Sequence, residues 1–195
     1  MHVAKKLINK KQVYKKWWFW LIVLIAGITL AYMIIGSFFL SSFRMVGPSM
    51  EDTIFAGDSV TVSNNSNYNP TRGDIVVFEN PQHGEEFVIK RVVAIVGDTV
   101  DINDCDIKVY NSENPNGFDP YQDFDVSNPN DCVSGAVNNY TVPNYEIFVI
   151  GDHRNGSYSH DSRSGIGNDD SSNTNPAAIS SSNVIGPVID IRFNQ

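Results

Sequence analysis

Acidic residues are missing from the first 40 positions of this chain of 195 residues, which contain six of its lysines. All 22 Asp and Glu residues, but only 8 of the 14 Lys and Arg residues, lie in residues 41–195. Nucleic-acid binding relies on clustered Lys and Arg that neutralise phosphates, so this acidic part of the chain is a poor candidate for it. We expect no nucleic-acid partner.

Charged residues are missing from residues 17–40, an apolar run of 24 positions. A helix needs about 20 apolar residues to cross a bilayer, so the run predicts a transmembrane helix. Three tryptophans lie at its first edge, where indole rings favour the lipid headgroups. The preceding lysines predict that residues 1–16 are cytoplasmic and residues 41–195 extracytoplasmic.

The alternative for the apolar run is a cleaved secretory signal peptide. Such peptides have a shorter apolar core, of about 7–15 residues, and end in a small-residue cleavage site. The end of this run, Phe38 to Phe43, shows no such site. We therefore predict a retained single-pass anchor in the lipid bilayer of the cell membrane.

Cysteine is scarce, with Cys105 and Cys132 as its two residues. Neither belongs to a Cys-x-x-Cys or zinc-type pattern, and His153 and His160 lack a recognised ligand spacing. We expect no metal site and no cofactor. Export permits a disulfide. We favour a Cys105–Cys132 bond over two free thiols, because the segment between them is loop-like and would gain from a cross-link.

A helical hydrophobic period is missing after residue 43, where short apolar runs alternate with turn residues. Residues 103–144 stand apart, because they are rich in Asn, Asp, Pro and Gly, and we interpret them as an insert of turns with room for one hairpin. The fold class predicted is mainly β: a transmembrane helix followed by an all-β barrel or sandwich. Strands are predicted at 58–63, 74–78, 87–96, 99–102, 145–150 and 184–192.

Ser49 and Lys90 are the first candidates for chemistry. Ser49 follows a Gly-Pro turn that presents its hydroxyl and backbone N–H, although most loop serines are merely solvated. Lys90 interrupts a β-branched run in which it and Arg91 face opposite sides, so one charge points toward apolar surroundings. Burial lowers the pKa of a lysine, and a neutral amine can act as general base for serine. The alternative is a solvent-facing lysine on an edge strand.

Residues 151–163 form a third candidate, because hydrogen-bonding groups crowd the end of an apolar strand. Asp152 with Arg154, and Asp161 with Arg163, are candidates for buried pairs that would hold a catalytic group in place. The alternatives are a hydrophilic surface loop, a Ser–His arrangement, or a metal site with the nearby aspartates.

Four segments, in this order behind an apolar anchor, resemble the bacterial type I signal peptidases. The resemblance covers the anchor and most of the exported part, and it is weakest over residues 103–144. The segments are FRMVGPSMEDT around Ser49, RGDIVVF from Arg72, KRVVAIVGDTV from Lys90, and GDHR with SHDSR from Gly151.

The resemblance implies a serine protease in which Ser49 is the nucleophile, Lys90 is the general base and the Ser49 backbone N–H binds the oxyanion. Ser159 is expected to hydrogen-bond the Lys90 amine. The implied fold is a domain of two antiparallel sheets with a substrate groove near the membrane. The supporting residues are expected to be Arg91, Asp152, Arg154, Asp161 and Arg163.

The segments also depart from the family pattern. Some relatives place a second oxyanion hydroxyl two residues before the nucleophile, where this chain has Gly47. The linker inside the last segment is about two residues longer than usual. The other departures are Asp52 for a proline, Ala94 for a glycine, Val96 for a proline and His153 for an asparagine.

The predicted function is removal of N-terminal signal peptides from exported preproteins, cut after small residues in an A-x-A pattern. The alternative is a membrane-anchored β domain that binds without cleaving. A Ser–His relative from the endoplasmic reticulum would have histidine in place of Lys90. A self-cleaving repressor would carry a DNA-binding module, and a sortase would need a cysteine in a strand.

Overall fold

The structure is a computed structural model, and it forms two compact units, residues 1–39 and residues 40–195. Within residues 10–39, side chains are described from 17 onward except at positions 35 and 37. The structure describes residues 10–65, 67–82, 86–103, 105–122, 124, 126, 136–154, 160–168 and 175–194.

The first unit is one helix, α1, Lys10–Phe39. Its most apolar stretch, Trp17–Ile34, has a mean hydropathy of 2.0 and none of it is buried against protein. At 1.5 Å per residue those 18 residues extend about 27 Å, close to the thickness of a bilayer's hydrocarbon core. The helix is therefore long and apolar enough to cross a membrane. Leu40, predicted as the last residue of the span, is instead the first residue of a strand.

The second unit consists of two antiparallel sheets, which confirms the predicted mainly-β fold class. Each of the six predicted strands is present. The larger sheet has the order β1-β2-β10-β3-β4-β8-β9 and the smaller has the order β6-β5-β7. The strands are β1 Leu40–Arg44, β2 Ser59–Ser63, β3 Ile75–Glu79, β4 Phe87–Ile95, β5 Thr99–Asn103, β6 Asp106–Tyr110, β7 Val137–Thr141, β8 Glu146–Ile150, β9 Ile179–Ser180 and β10 Val184–Arg192. Two short 3-10 helices, Ser162–Ser164 and Ser181–Asn183, complete the described elements.

The insert at 103–144 holds more β structure than its composition predicts. It supplies β6 and β7, which flank β5 in the smaller sheet. In β6, Ile107 and Val109 are buried, whereas Asp106 and Lys108 are exposed. A short strand with only one buried face is polar at every second position, so its composition resembles that of a loop.

Strand β10 joins the two halves of the larger sheet by changing partner along its length. Its first part pairs with β3 and its second with β2, with an irregular register in both pairings. Pro187, which has no N–H to donate, lies at the change of partner. Gly186 precedes it, and a Cβ there would lie 1.9 Å from the Ser63 carbonyl oxygen. The close approach of β10 to β2 therefore requires glycine.

The apolar core includes the segment that carries Ser49. Met50 and Ile54 are fully buried in a cluster with Val60, Val62 and Val77 from the larger sheet. Burying a side chain of this size contributes about 1.5–3 kcal/mol. The residue after Ser49 is therefore fixed to the sheet, and the serine is held in place with it.

We predict that Gly186→Ala lowers the free energy of unfolding by roughly 1–3 kcal/mol, the usual cost of overpacking, because the new methyl meets backbone. Gly47→Ala is the matched control, since a Cβ at position 47 meets nothing within 4 Å. Denaturant unfolding of the full chain in detergent measures both. Equal stability of the two variants would contradict the packing argument.

Candidate active site

Ser49 lies in a tight turn between β1 and β2. The Glu51 N–H donates to the Pro48 carbonyl at 2.9 Å, and the Ile54 N–H donates to the Met50 carbonyl at 2.7 Å. The Ser49 carbonyl accepts from the His153 N–H at 3.1 Å, which ties the turn to the segment after β8. Ser49 itself is 9% exposed. Its hydroxyl is thus held rigidly at the edge of the core.

Lys90 lies beside Ser49. Its Nζ donates to the Ser49 Oγ at 2.6 Å and to the Ile89 carbonyl at 3.1 Å. The side chain is 3% exposed, in the middle of β4. Burial lowers the pKa of Lys90 from 10.5 to about 8; Asp161 and Asp152 oppose this shift, and Arg163 adds to it. The neutral amine is therefore half populated about one pH unit above neutrality.

Arg91, the next residue of β4, is also buried. The charged groups of both Lys90 and Arg91 therefore point into the protein. Its guanidinium forms a bidentate ion pair with Asp152, at 2.8 Å from Nε and 2.6 Å from Nη2. The same carboxylate accepts from the Thr53 hydroxyl at 2.6 Å. Arg91 also donates to the Gly73 carbonyl at 2.9 Å. This network connects β4, the end of β8 and the Ser49 turn.

The second predicted pair, Asp161 with Arg163, is present. Arg163 donates to the carboxylate through Nε at 3.0 Å and through Nη2 at 2.8 Å. Asp161 also caps the 3-10 helix Ser162–Ser164 and accepts from the Gly151 N–H at 3.2 Å. The predicted contact of Ser159 with Lys90 lies outside the described residues and stays a prediction.

The suggested pairing of Asp152 with Arg154 is wrong. Arg91 and Thr53 take up the Asp152 carboxylate. Arg154 instead lies over the ring of Tyr121, with its guanidinium carbon 4.4 Å from the ring centroid. Sequence spacing favoured the neighbour two positions away, but side chains two apart at the end of a strand need not meet.

Neither of the two described histidines, His153 and His160, hydrogen-bonds the Ser49 hydroxyl. His153 Nδ1 lies 3.5 Å from a Glu51 carboxylate oxygen, and His160 Nε2 lies 3.1 Å from the Gln82 amide oxygen. The group that contacts the serine oxygen is the Lys90 amine. The geometry therefore favours Ser–Lys over Ser–His chemistry.

Asp52 occupies a backbone conformation that proline cannot adopt. Its φ is +82°, whereas the proline ring fixes φ near −65°. A proline at this position would therefore require a different turn geometry from the one seen three residues after Ser49. Thr53 keeps its place in the motif and meets Asp152.

A groove of about 720 Å³ runs past the serine and the lysine. Strands β1 and β4 border it, and each has a backbone edge there that no described strand pairs with: β1 is the outermost strand of its sheet, and β4 meets β8 only from Arg91 onward. The lining residues are Phe43, Arg44, Met45, Val46, Gly47, Pro48, Ser49, Asn80, Glu86, Phe87, Val88, Ile89, Lys90 and His160.

Three further residues of the described chain, Ser49, Cys105 and Thr53, can be compared with the sequence predictions. Among the described residues, no protein group accepts from the Ser49 backbone N–H. Cys105 is disulfide-bonded, and its predicted partner, Cys132, lies outside the described residues. Thr53 is a site residue that the sequence predictions do not include, although it stands in the serine motif.

Comparison with known proteins identifies the family of this chain. The family model described as "Signal peptidase, peptidase S26" matches residues 16–189. The chain therefore belongs to the signal peptidase family, a family of peptidases.

Two curated relatives are signal peptidases by name. "Signal peptidase I V" of Bacillus subtilis (strain 168) is 28% identical over 74% of this chain and 87% of its own length. "Signal peptidase I" of Aquifex aeolicus (strain VF5) is 36% identical over 38% of this chain, and that match spans 30% of the Aquifex protein. A crystal structure of a signal peptidase I from Enterococcus faecalis V583 is 26% identical, with a TM-score of 0.43, over 62% of this chain and 97% of that one.

We predict that Arg91→Met costs roughly 3–5 kcal/mol of unfolding free energy, because it leaves the buried Asp152 carboxylate unpaired. Arg91→Met combined with Asp152→Leu removes both charges and is expected to cost less than Arg91→Met alone. Denaturant unfolding of the single and double variants tests this. A double variant less stable than the single one would show that the ion pair is not what Arg91 mainly contributes.

We predict that Lys90→Met is more stable than the unsubstituted chain at neutral pH, by up to about 3 kcal/mol. The folded pKa of about 8 lies below the unfolded value of 10.5, so the unfolded state binds more protons between these values. Stability of the unsubstituted chain therefore rises from pH 8 to 10.5, and the advantage of Lys90→Met shrinks over that window. Ser49→Ala, which keeps the lysine, should retain the pH dependence; a pH-independent gain in Lys90→Met would contradict the argument.

Proposed function

We propose that this chain is a membrane-anchored serine endopeptidase that removes N-terminal signal peptides from exported preproteins. Ser49 is the nucleophile and Lys90 is the general base. The observation that carries the proposal is the 2.6 Å contact between the Ser49 Oγ and the Lys90 Nζ, with the amine buried and its pKa lowered to about 8. Membership of the signal peptidase family supports the substrate class.

In the proposed first step the neutral Lys90 amine takes the proton of the Ser49 hydroxyl as the oxygen attacks the scissile carbonyl carbon. The charge on the carbonyl oxygen is stabilised by the Ser49 backbone N–H. Lys90 then donates its proton to the leaving amine, which departs as the peptide bond breaks and leaves an acyl-enzyme. In the second half Lys90 takes a proton from water, the hydroxide attacks the ester, and the proton returns to Ser49.

The groove accounts for recognition of an extended substrate. The free edges of β1 and β4 supply backbone groups on both sides of the groove, so a peptide strand can pair with them. Sequence-independent backbone pairing suits signal peptides, and we expect the residues just before the cut to be small. We infer that α1 keeps the enzyme in the same membrane as its substrates, which raises their effective concentration.

We predict that Ser49→Ala and Lys90→Ala each lower the cleavage rate of a precursor protein by at least about 10³-fold, because nucleophile and base act as a unit. Lys108→Ala is a matched control, since this lysine is half-exposed on β6, outside the groove lining. Gel analysis of precursor and mature forms in detergent measures the rate. Undiminished cleavage by either site variant would refute the pair and favour the non-catalytic binding domain.

We predict that kcat/KM for the precursor rises with pH through about 8, where Lys90 loses its proton in the free enzyme. Below that pH the amine is charged and cannot accept the serine proton. A pH–rate profile with enzyme concentration set by a serine-reactive acylating inhibitor checks this. An ascending limb near 10.4, the usual value for lysine, would show that Lys90 is not desolvated in the working enzyme.

A further inference from the structure

Aromatic side chains of the insert lie over three arginines: Arg91 belongs to β4, Arg72 precedes β3 and Arg154 follows β8. A guanidinium within about 6 Å of a ring centroid is attracted to the π-face. Three such contacts occur among the described residues, all from one short segment of the insert. They are Phe118 over Arg72 at 5.9 Å, Tyr121 over Arg154 at 4.4 Å and Phe124 over Arg91 at 4.3 Å.

The Phe124 ring lies over one face of the Arg91 guanidinium, which also forms the ion pair with Asp152. Arg91 donates to Asp152 and to the Gly73 carbonyl, so its plane is already oriented by oxygen acceptors. The tip of the Phe124 ring lies against Gly73, where a Cβ would come within 2.6 Å of it. The ring therefore occupies space that a side chain at position 73 would need. Because residue 73 is glycine, the ring can lie over Arg91.

Tyr121 holds Phe124 from the side. The two rings meet edge to face, with centroids 6.4 Å apart, and the Phe124 N–H donates to the Tyr121 carbonyl at 3.0 Å. Tyr121 is 4% exposed, and its hydroxyl has no hydrogen-bond partner among the described residues. A buried phenol hydroxyl without a hydrogen-bond partner is unfavourable. Tyr121 therefore contributes through its aromatic ring and not through its hydroxyl.

The Arg91 network leads from these rings to the reacting atoms. Arg91 follows Lys90 directly on β4. Its partner Asp152 binds the Thr53 hydroxyl, four residues after Ser49, and the next residue, His153, donates to the Ser49 carbonyl. The orientation of one guanidinium thus sets the position of β4 relative to the Ser49 turn.

We propose that Tyr121 and Phe124 are positioning residues for catalysis: the insert clamps Arg91 on Asp152 and thereby keeps the Lys90 amine and the Ser49 hydroxyl in register. This inference rests on the proposed function of that pair. It gives the insert, where the family resemblance is weakest, a role in the reaction.

The clamp has an electrostatic consequence that a purely structural role would lack. The Asp152 carboxylate raises the pKa of Lys90, and Arg91 donates to both oxygens of that carboxylate. We expect the guanidinium to neutralise part of the carboxylate charge. If Arg91 moves away from Asp152, the charge of the carboxylate is less neutralised, and the carboxylate raises the pKa of Lys90 further. The other charged or titratable groups that bear on Lys90 or line its groove are Asp161, Arg163, Arg44, Glu86 and His160.

The test is the pH profile of precursor cleavage by the full chain in detergent, with active enzyme counted by a serine-reactive acylating inhibitor. For Phe124→Leu we expect the ascending limb of kcat/KM to move up by at least about half a pH unit, a roughly threefold loss below the limb. We expect kcat per active site to fall more than KM changes.

Phe118→Leu is the matched control, because Phe118 is equally half-buried in the insert but lies over Arg72, whose partner is Asp98. For Phe118→Leu the ascending limb of kcat/KM should stay at the pH of the unsubstituted chain. Coincident limbs for Phe124→Leu and Phe118→Leu would overturn the proposal. If Phe124→Leu does not fold, Phe124→Met, of similar volume, is judged by the same criterion. Failure of the unsubstituted chain to cleave would instead count against the proposed function.

Discussion

The site depends on one lysine being kept out of water beside one serine. A charged amine loses its hydration when it is buried, so the folded chain favours the neutral form of Lys90, and burial is the largest influence on its pKa. Nothing covalent enforces this state. It persists only while the middle of β4 stays packed between β3 and β8 and the Ser49 turn covers it. The stability of the surrounding sheet is therefore a condition of the proposed chemistry.

Two further features secure that arrangement from opposite sides. Met50 and Ile54 bury the Ser49 turn in the apolar core, which fixes the serine with non-directional packing. The Arg91–Asp152–Thr53 network fixes it with directional bonds, since a bidentate guanidinium–carboxylate pair tolerates little displacement. A buried ion pair is weak evidence for added stability. Its value here is better understood as geometric, because it connects the strand of Lys90 to the turn of Ser49.

The sequence predicted the fold class and the strands that carry the site, because β-branched runs bounded by Gly, Asn and Pro are local signals. It missed β1, β6, β7 and β9, which are short or polar on one face and acquire their pairing only from neighbours distant in the chain. The pairing of Asp161 with Arg163 was predicted correctly from proximity. The same reasoning assigned Asp152 to Arg154, and it failed because Arg91, from β4, reaches that carboxylate first.

The sequence alone determined the apolar helix, the order of the motifs around Ser49 and Lys90, and the family to which those motifs point. Each of these is written in consecutive residues and needs no folded partner. Only the tertiary structure decided that Lys90 and Arg91 are both buried, that the amine rather than a histidine meets the Ser49 oxygen, and that Tyr121 and Phe124 reach the arginines. Those facts depend on desolvation and on contacts between segments tens of residues apart, which no local pattern encodes.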